Sequence, residues 1–272
     1  MLTAISDSKS LRHLKLSSVH LDTDKKLELI TGFIGCKKNP LAKIVLSENM
    51  LPNLDVLQQL HLNHSLKELV VLAQTYFMGN AQLAEDKFRE LKPNRQLEKL
   101  TLGLGLMRTV KPLILALNVF PKLLELRLQN VELTKLHFQV LDNYLIHNPD
   151  LRVLALVNVK LGYDHFLLLE GTIRNARKLR KLNLANNQLR NQGCTEVANL
   201  LLNNYSIQSL NLDNNDIREY GLVAILKVLE SNRTLHKVSL ENNKFVVSRQ
   251  LLGLVADLFV YKNRSVRVMK LT

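Results

Sequence analysis

The sequence RKLRKLNLANNQL at residues 177–189 is one copy of a pattern that returns every 28 residues. Further copies are PDLRVLALVNVKL at 149–161, YSIQSLNLDNNDI at 205–217 and RTLHKVSLENNKF at 233–245. Each copy fits L-x-x-L-x-L-x-x-N-x-L, with Val159 in place of the asparagine in the first. A fixed period of this length predicts a solenoid of stacked repeats.

The same pattern extends over most of the chain with more variation. Allowing for irregular spacing in the first half, we align ten segments, each of which predicts a short strand. Their first apolar residues are Leu11, Leu41, Leu66, Leu97, Leu123, Leu151, Leu179, Ile207, Leu235 and Val266. Because the early spacing is irregular, one strand start could be misaligned, at Leu66 or Leu97.

Within one repeat the pattern separates an inward face from an outward face. Because side chains alternate along a strand, Leu182 and Leu184 are predicted to enter the core, while Lys181 and Asn183 point the other way. Asparagine in the N-x-L step suits a turn, and these residues predict a ladder of Asn187, Asn215 and Asn243. The stretches 194–204 and 221–232 have apolar residues at helical spacing, so a helix is predicted after each strand.

A second asparagine lies three residues before the apolar start of several repeats. These residues are Asn63, Asn94, Asn148, Asn204, Asn232 and Asn263. Asparagine tolerates the left-handed conformation in which helices end, which predicts a recurring helix stop. Four of them also begin N-x-S/T, the acceptor pattern for N-glycosylation: Asn63, Asn204, Asn232 and Asn263. The N-terminal sequence resembles no signal peptide, which favours the structural interpretation.

Length and composition predict one solenoid domain over residues 1–272. The chain is 46% hydrophobic, and no linker rich in proline, glycine or serine interrupts it. The apolar runs are too short to predict a membrane span. The two cysteines, Cys36 and Cys194, stand at different phases of the repeat, so no disulfide or metal framework is indicated. We therefore expect a reducing, cytoplasmic location.

The net charge of +13 suggests an anionic partner. The classes it raises are nucleic acid, the ribosome, an anionic membrane surface and a protein with an acidic surface. Positive charge also keeps a protein soluble without marking any site, and both interpretations stay open.

The repeats resemble the ribonuclease-inhibitor-like class of leucine-rich repeat proteins. The likeness rests on the 28-residue period, the L-x-x-L-x-L-x-x-N-x-L consensus, and the glycines Gly193 and Gly221 that precede helical stretches. It implies an α/β leucine-rich repeat solenoid of about ten strand-helix repeats. In such a horseshoe a parallel sheet lines the concave face and helices line the convex face. The resemblance further implies macromolecular binding through the concave face.

The chain departs from two members of that class. Ribonuclease inhibitor itself is acidic and rich in cysteine, and the GTPase-activating proteins for Ran have an acidic tail that this chain lacks. Its lysine and asparagine content, the absence of tryptophan and its limitation to repeats resemble short leucine-rich effectors of intracellular bacteria. That likeness implies action in the cytosol of a host cell.

The candidate partner-binding residues are outward strand positions together with Arg152, Arg180 and Asp213 beside them. They are Lys99, Arg127, Arg152, Arg180, Lys181, Asn183, Asn211, Asp213, Lys237 and Ser239. Two basic clusters stand out, RNARKLRKLN at 174–183 and the C-terminal group of Lys262, Arg264, Arg267 and Lys270. Positive charge near helix C-termini can also serve only to complement the helix dipole. Val45, Val70 and Leu72 are predicted as either an apolar docking spot or the product of a register slip.

No catalytic, cofactor or metal motif is present, since the sequence lacks G-x-x-x-x-G-K-[ST], G-x-S-x-G and H-E-x-x-H. We therefore expect a non-catalytic protein-interaction module without a cofactor, whose partner has an acidic surface. The alternative is a basic protein associated with nucleic acid or the ribosome. The segments that would cover the two ends of the core are short, so a dimer through the solenoid termini is a further alternative.

Overall fold

The structure is a computed structural model that describes residues 10–19, 28, 32, 40–50, 63, 65–74, 93–104, 117, 119–246, 248–258 and 265–271. The chain divides into two compact units, Met1–Glu132 and Leu133–Thr272. We call them the first unit and the second unit. That residues 1–272 form one domain stays a prediction.

Five parallel strands form the sheet of the first unit, each paired with the next in chain order. They are β1 (His13–Ser17), β2 (Lys43–Met50), β3 (Glu68–Gln74), β4 (Lys99–Leu104) and β5 (Glu125–Gln129). In β2 the side chains alternate, since Ile44 and Leu46 are buried while Lys43 and Val45 are half-buried. One face of the sheet therefore covers the core and the other is outward.

The second unit adds helices to the same repeating strands. Its parallel strands are β6 (Val153–Val157), β7 (Lys181–Asn183), β8 (Ser209–Asn211), β9 (Lys237–Ser239) and β10 (Val268–Lys270). Its helices are α1 (Lys135–Ile146), α2 (Tyr163–Asn175), α3 (Arg190–Asn203), α4 (Glu219–Leu229) and α5 (Arg249–Asp257). Helices α1 to α4 pack against one another in chain order.

The strand register predicted from the sequence is confirmed throughout. Every strand begins two residues after the apolar residue chosen as its start. At the two doubtful positions, Glu68 of β3 lies opposite Lys99 of β4, so neither Leu66 nor Leu97 is misaligned. The α/β class and the ten repeated parallel strands are therefore confirmed.

The core of the second unit lies between the inward side chains of the strands and the apolar stripes of the helices. Leu182 and Leu184 are buried, as are Val197, Leu200 and Leu201 of α3, all at the predicted positions. Complete burial of one such side chain contributes roughly 1.5–3 kcal/mol. Stacked repeats thus share one apolar layer, because no single repeat could cover its own leucines.

The asparagine ladder forms as predicted and joins each repeat to its neighbour. The amide of Asn187 donates to the carbonyls of Leu156 and Leu184, and its Oδ1 accepts the N–H groups of Val159 and Leu161. Asn243 repeats this arrangement two repeats later. Asn215 makes the same amide bonds one repeat later, and among the described residues its Oδ1 accepts the Leu189 N–H alone. The residue before each of them adopts a left-handed conformation, with φ of 58°, 53° and 55° at Asn186, Asn214 and Asn242.

The asparagines that precede the repeats act differently from the prediction. Asn204 has φ −104°, an extended conformation, so the left-handed helix stop is wrong there. Its Oδ1 accepts the N–H groups of Ser206 and Ile207 at 2.9 and 3.0 Å, and its amide donates to Ile173 and Arg174 carbonyls, both at 3.1 Å. The side chain thus satisfies free backbone groups of two adjacent repeats.

Burial removes the glycosylation alternative at the asparagines that are described. Asn63 and Asn204 are 0% exposed and Asn232 is 2% exposed, so their amides are inaccessible in the folded chain. Asn263 lies outside the described residues. The described asparagines therefore have a structural role. They fulfil it through side-chain hydrogen bonds and not through a left-handed backbone conformation.

The two glycines of the consensus stand where adjacent groups approach closely. A Cβ atom on Gly193 would lie 2.9 Å from two atoms of the Leu189 side chain. On Gly221 it would lie 2.8 Å from Cγ2 of Ile217 and 3.0 Å from Oδ1 of Asn191. Glycine therefore lets the start of each helix pack onto the turn before it.

The second unit contains one described cysteine, and it is structural. The Cys194 thiol is free and buried, and it donates to the carbonyl of Gly221 at 3.3 Å. Burial raises the pKa of this thiol to about 12, which keeps it protonated and unreactive at neutral pH. Cys36 lies outside the described residues, so the reducing location stays a prediction. Among the described helices, none has the length and apolarity to cross a membrane.

Candidate binding face

The outward positions of β7, β8 and β9 form one continuous polar surface. The register places Lys181 beside Ser209 and Ser209 beside Lys237, and it places Asn183 beside Asn211. Neighbouring strands are about 4.8 Å apart, so these side chains extend about 10 Å across the sheet. We call these five residues the donor face.

The side chains of the donor face keep free hydrogen-bond donors, because backbone N–H groups of the chain already bond to their asparagine oxygens. Oδ1 of Asn183 accepts the Ala185 N–H at 3.0 Å, and Oδ1 of Asn211 accepts the Asp213 N–H at 2.8 Å. The amide nitrogens of both side chains have no acceptor within the described part of the chain. Lys181 and Lys237 are exposed and form no ion pair with any residue that the structure describes.

Two other predicted contact residues contribute to the fold instead. Oδ1 of Asp213 accepts the Glu241 N–H at 2.7 Å, which joins two repeats. Ser239 is only 4% exposed, and its hydroxyl lies 3.4 Å from Oε2 of Glu241. Lys270 also pairs with Glu241, at 3.3 Å. This corner of the surface therefore offers a partner few unused polar groups.

Arg180 lies at the amino end of β7, beside the donor face. Its guanidinium donates to the carbonyl of Ser206, the residue that precedes the next repeat, at 3.0 Å. Arg12 makes the equivalent bond to Pro40 at 3.2 Å, and His236 makes it to Ser265 at 3.1 Å. This position of the repeat thus links it to the next. Arg152 holds the same position one repeat before Arg180 and is exposed.

The first predicted basic cluster is largely engaged in internal contacts. Arg174 pairs with Glu170 one helical turn earlier, and Lys178 pairs with Asp150 of the preceding repeat. With Arg180 bonded to carbonyls, only Arg177 and Lys181 of this cluster lack a side-chain partner among the described residues. In the C-terminal cluster, Lys262 and Arg264 lie outside the described residues.

The two predicted contact residues of the first unit form ion pairs with a carboxylate on the same outward face. Lys99 and Arg127 both contact the carboxylate of Glu125, each at 3.3 Å. Lys43 pairs with Glu68 at 2.7 Å on the same outward row. Cations and carboxylates alternate along that row, so it presents little unneutralised charge.

The apolar outward residues of the first unit are genuine and do not result from a register slip. Val45 lies opposite Val70 in the ladder, and Leu72 lies opposite Gly103. A Cβ atom on Gly103 would lie 2.9 Å from Cδ2 of Leu72, so that leucine rests on the glycine. All three apolar side chains are half-buried. Their role as a docking spot stays a prediction.

The second unit also has two clefts away from its outward face. A polar cleft of about 420 Å³ is lined by Arg190, Arg218, Lys244 and Asp216 among others. A hydrogen bond from Lys244, at 2.8 Å, lowers the pKa of the Asp216 carboxyl, so this acid stays ionised. An apolar cleft of about 390 Å³ lies between the ends of α1 and α2. No cluster of metal-binding side chains occurs among the described residues.

The sequence pattern identified the donor face but missed how its residues are used. It placed Lys181, Asn183, Asn211 and Lys237 on one surface, yet treated Arg180 and Asp213 as equivalent to them. A signal was available, because asparagine two residues before a turn often accepts a backbone N–H. The recurrence of Arg or His at the position of Arg180 was a second signal.

Comparisons with solved structures find similar chains at low sequence identity. An internalin from Listeria monocytogenes aligns with 100% of this chain and 64% of its own, at 16% identity and TM-score 0.57. Actin-binding site 2 of leiomodin-1 aligns with 49% of this chain and 75% of its own, at 21% identity and TM-score 0.44. The tropomodulin C-terminal domain of Caenorhabditis elegans aligns with 49% and 80%, at 18% identity and TM-score 0.43.

The chain is thus similar to the internalin in fold, and it is an α/β leucine-rich repeat solenoid. No family model matches it. No curated protein sequence matches it either.

Proposed function

We propose that the chain is a non-catalytic protein-interaction module whose donor face binds an acidic surface of a protein partner. The observation that carries this proposal is the internal use of acceptors at Asn183 and Asn211. What remains for a partner is two ammonium groups and two amide N–H₂ groups. Such a surface is complementary to carboxylates, which accept charge-assisted hydrogen bonds.

The rigidity of the donor face supports the same function. The hydrogen bonds that hold the Asn183 and Asn211 side chains also fix the direction of their free amides. Side chains that are already ordered lose less conformational entropy when a partner binds. Strand pairing also fixes the separation between the backbones of Lys181 and Lys237, on either side of Ser209. This favours one arrangement of partner carboxylates over others.

The narrower identity proposed for the chain rests on repeat length. Helices α2, α3 and α4 have 13, 14 and 11 residues, and a 28-residue period has room for a full helix. This supports the ribonuclease-inhibitor-like class. Composition alone supports the further proposal of a bacterial effector that acts in the host cytosol. Fractionation of infected cells, with antibody against the chain, tests that location.

The experiment compares two charge-reversal variants in a pull-down from eukaryotic cell lysate. One variant is Lys181→Glu with Lys237→Glu. The control is Lys135→Glu with Lys227→Glu, which makes the same charge change at exposed helical lysines. Lysate is used with and without nuclease treatment, and retained proteins are quantified at low and high salt.

A discrete protein retained by the wild type and the control, but lost from the donor-face variant, is the expected result. Retention that both variants lose equally would show that net charge, and not this face, holds the partner. Recovery that disappears with nuclease and falls steeply with salt would instead favour the alternative function, association with nucleic acid or the ribosome.

A further inference from the structure

Among the described loops of the second unit, the excess of positive charge lies at one edge of the sheet. The described helix-to-strand loops, 147–152, 176–180, 204–208, 230–236, 258 and 265–267, contain six cationic side chains against two carboxylates. The described strand-to-helix loops, 158–162, 184–189, 212–218, 240–246 and 248, contain three of each. We call the first set of cations the arginine edge: Arg152, Arg177, Lys178, Arg180, Arg233 and Arg267.

Most of the arginine edge is available to a ligand. Lys178 pairs with Asp150, and Arg180 donates to backbone carbonyls. The other four are exposed, and their guanidinium groups have no side-chain hydrogen bond or ion pair with a described residue: Arg152, Arg177, Arg233 and Arg267. Four unneutralised guanidinium groups along one edge create a field that attracts anions.

The identity of these cations favours phosphate as the anion. Five of the six are arginine, whose planar fork binds phosphate oxygens through two parallel N–H donors. On the donor face, by contrast, both cations are lysine. The two surfaces therefore differ in chemistry as well as in position within the second unit.

An exposed aromatic ring lies among the arginines. Arg177, Tyr205 and Arg233 occupy the same position of three successive repeats, each 28 residues from the next. Tyr205 is 65% exposed, and its hydroxyl has no partner among the described residues. An aromatic face in water between two cations can stack on a nucleic-acid base while the arginines hold the flanking phosphates.

We infer that the arginine edge binds single-stranded nucleic acid, with guanidinium groups on phosphates and the Tyr205 ring on a base. A strand of this kind has a phosphate at every nucleotide, which suits cations that recur with the repeat. Stacking and phosphate contacts do not distinguish one base from another, so little sequence preference is expected. An acidic polypeptide would respond to the same charge, but it offers Tyr205 no base to stack on.

The test measures binding of a fluorescein-labelled oligothymidylate of about 20 nucleotides by fluorescence anisotropy across a salt series. We expect Arg177→Glu with Arg233→Glu to weaken binding at least tenfold. For single strands each lost phosphate contact lowers the salt slope by about 0.7, so the two substitutions lower it by about 1.4. Lys135→Glu with Lys227→Glu, the charge-matched control, is expected to retain the wild-type slope.

Tyr205 separates the nucleic-acid proposal from simple attraction of anions. Tyr205→Ser is expected to weaken oligonucleotide binding about fivefold or more with the salt slope unchanged. Tyr205→Phe keeps the aromatic ring and is expected to bind as tightly as the wild type. Lys181→Gln with Lys237→Gln, on the donor face, is expected to leave oligonucleotide binding intact. Equal losses in the edge variant and the control would overturn the proposal. So would polyglutamate competing as well as the oligonucleotide while Tyr205→Ser has no effect.

Discussion

The outward strands of the first unit and the donor face of the second unit use charged residues in different ways. In the first unit Lys43 pairs with Glu68, and both Lys99 and Arg127 contact Glu125. In the second unit the equivalent outward rows hold Lys181 and Lys237 with a serine between them and no described carboxylate partner. Three outward cations of the first unit are thus neutralised by nearby carboxylates, whereas the two lysines of the donor face are not.

This difference teaches that residue type alone does not identify a binding surface. A lysine on an outward strand position is available only if the strands beside it lack a carboxylate in register. The same distinction applies to amides and guanidinium groups, since Asn204 and Arg180 are engaged by backbone groups while Arg177 is not. The following substitutions separate groups that the fold uses from groups that it leaves free.

The largest difference is expected between two asparagines of the second unit. Asn204→Ala leaves buried N–H and carbonyl groups of two repeats without partners and should cost about 3 kcal/mol of unfolding free energy. Asn183→Ala removes one half-exposed hydrogen bond and should cost about 0.5–1 kcal/mol. Urea denaturation followed by circular dichroism measures both. Equal losses would mean that the outward amide is as structural as the buried one.

A smaller difference is expected between two adjacent cations. Arg180→Ala removes the bond to the Ser206 carbonyl and should cost about 1 kcal/mol. Lys181→Ala removes a side chain that contacts no described polar group and should change stability by less than about 0.5 kcal/mol. Thermal unfolding of the two variants in one buffer makes the comparison. A larger loss for Lys181→Ala would contradict the assignment of Arg180 as the linking residue.

The smallest expected effect concerns the ion pairs of the first unit. Lys99→Ala breaks a partly exposed pair and should cost about 0.2–1 kcal/mol at low salt. Salt screens such pairs, so the loss should shrink as ionic strength rises. Denaturation at two salt concentrations measures it, with Lys181→Ala as the unpaired control. A loss that does not respond to salt would show that Lys99 acts through packing and not through Glu125.

Most of the fold follows from the sequence because one period governs it. Leucine at fixed steps defined the inward face, and all ten strand starts agree with that pattern, including the irregular early repeats at Leu66 and Leu97. The asparagine ladder also followed, since Asn187, Asn215 and Asn243 stand at a turn where only a few backbone groups need partners.

The candidate site was predictable only in part. Position on the outward face follows from alternation along a strand, and this placed Lys181, Asn183, Asn211 and Lys237 correctly. Whether a side chain is free depends on neighbours about 28 residues away in register, whose geometry the pattern does not contain. For that reason Arg180 and Ser239 were predicted as contacts, although one bonds carbonyls and the other is buried.

The most direct test neutralises matched lysines in the two units and measures binding of the partner captured by the wild type. Lys181→Gln with Lys237→Gln removes free charge, and Lys43→Gln with Lys99→Gln removes the same charge from paired positions. We predict at least a tenfold loss of affinity for the first variant, at an unchanged melting temperature, and less than a twofold change for the second. Equal losses in both variants, or a loss only in the paired one, would contradict the claim that unpaired donors form the binding surface.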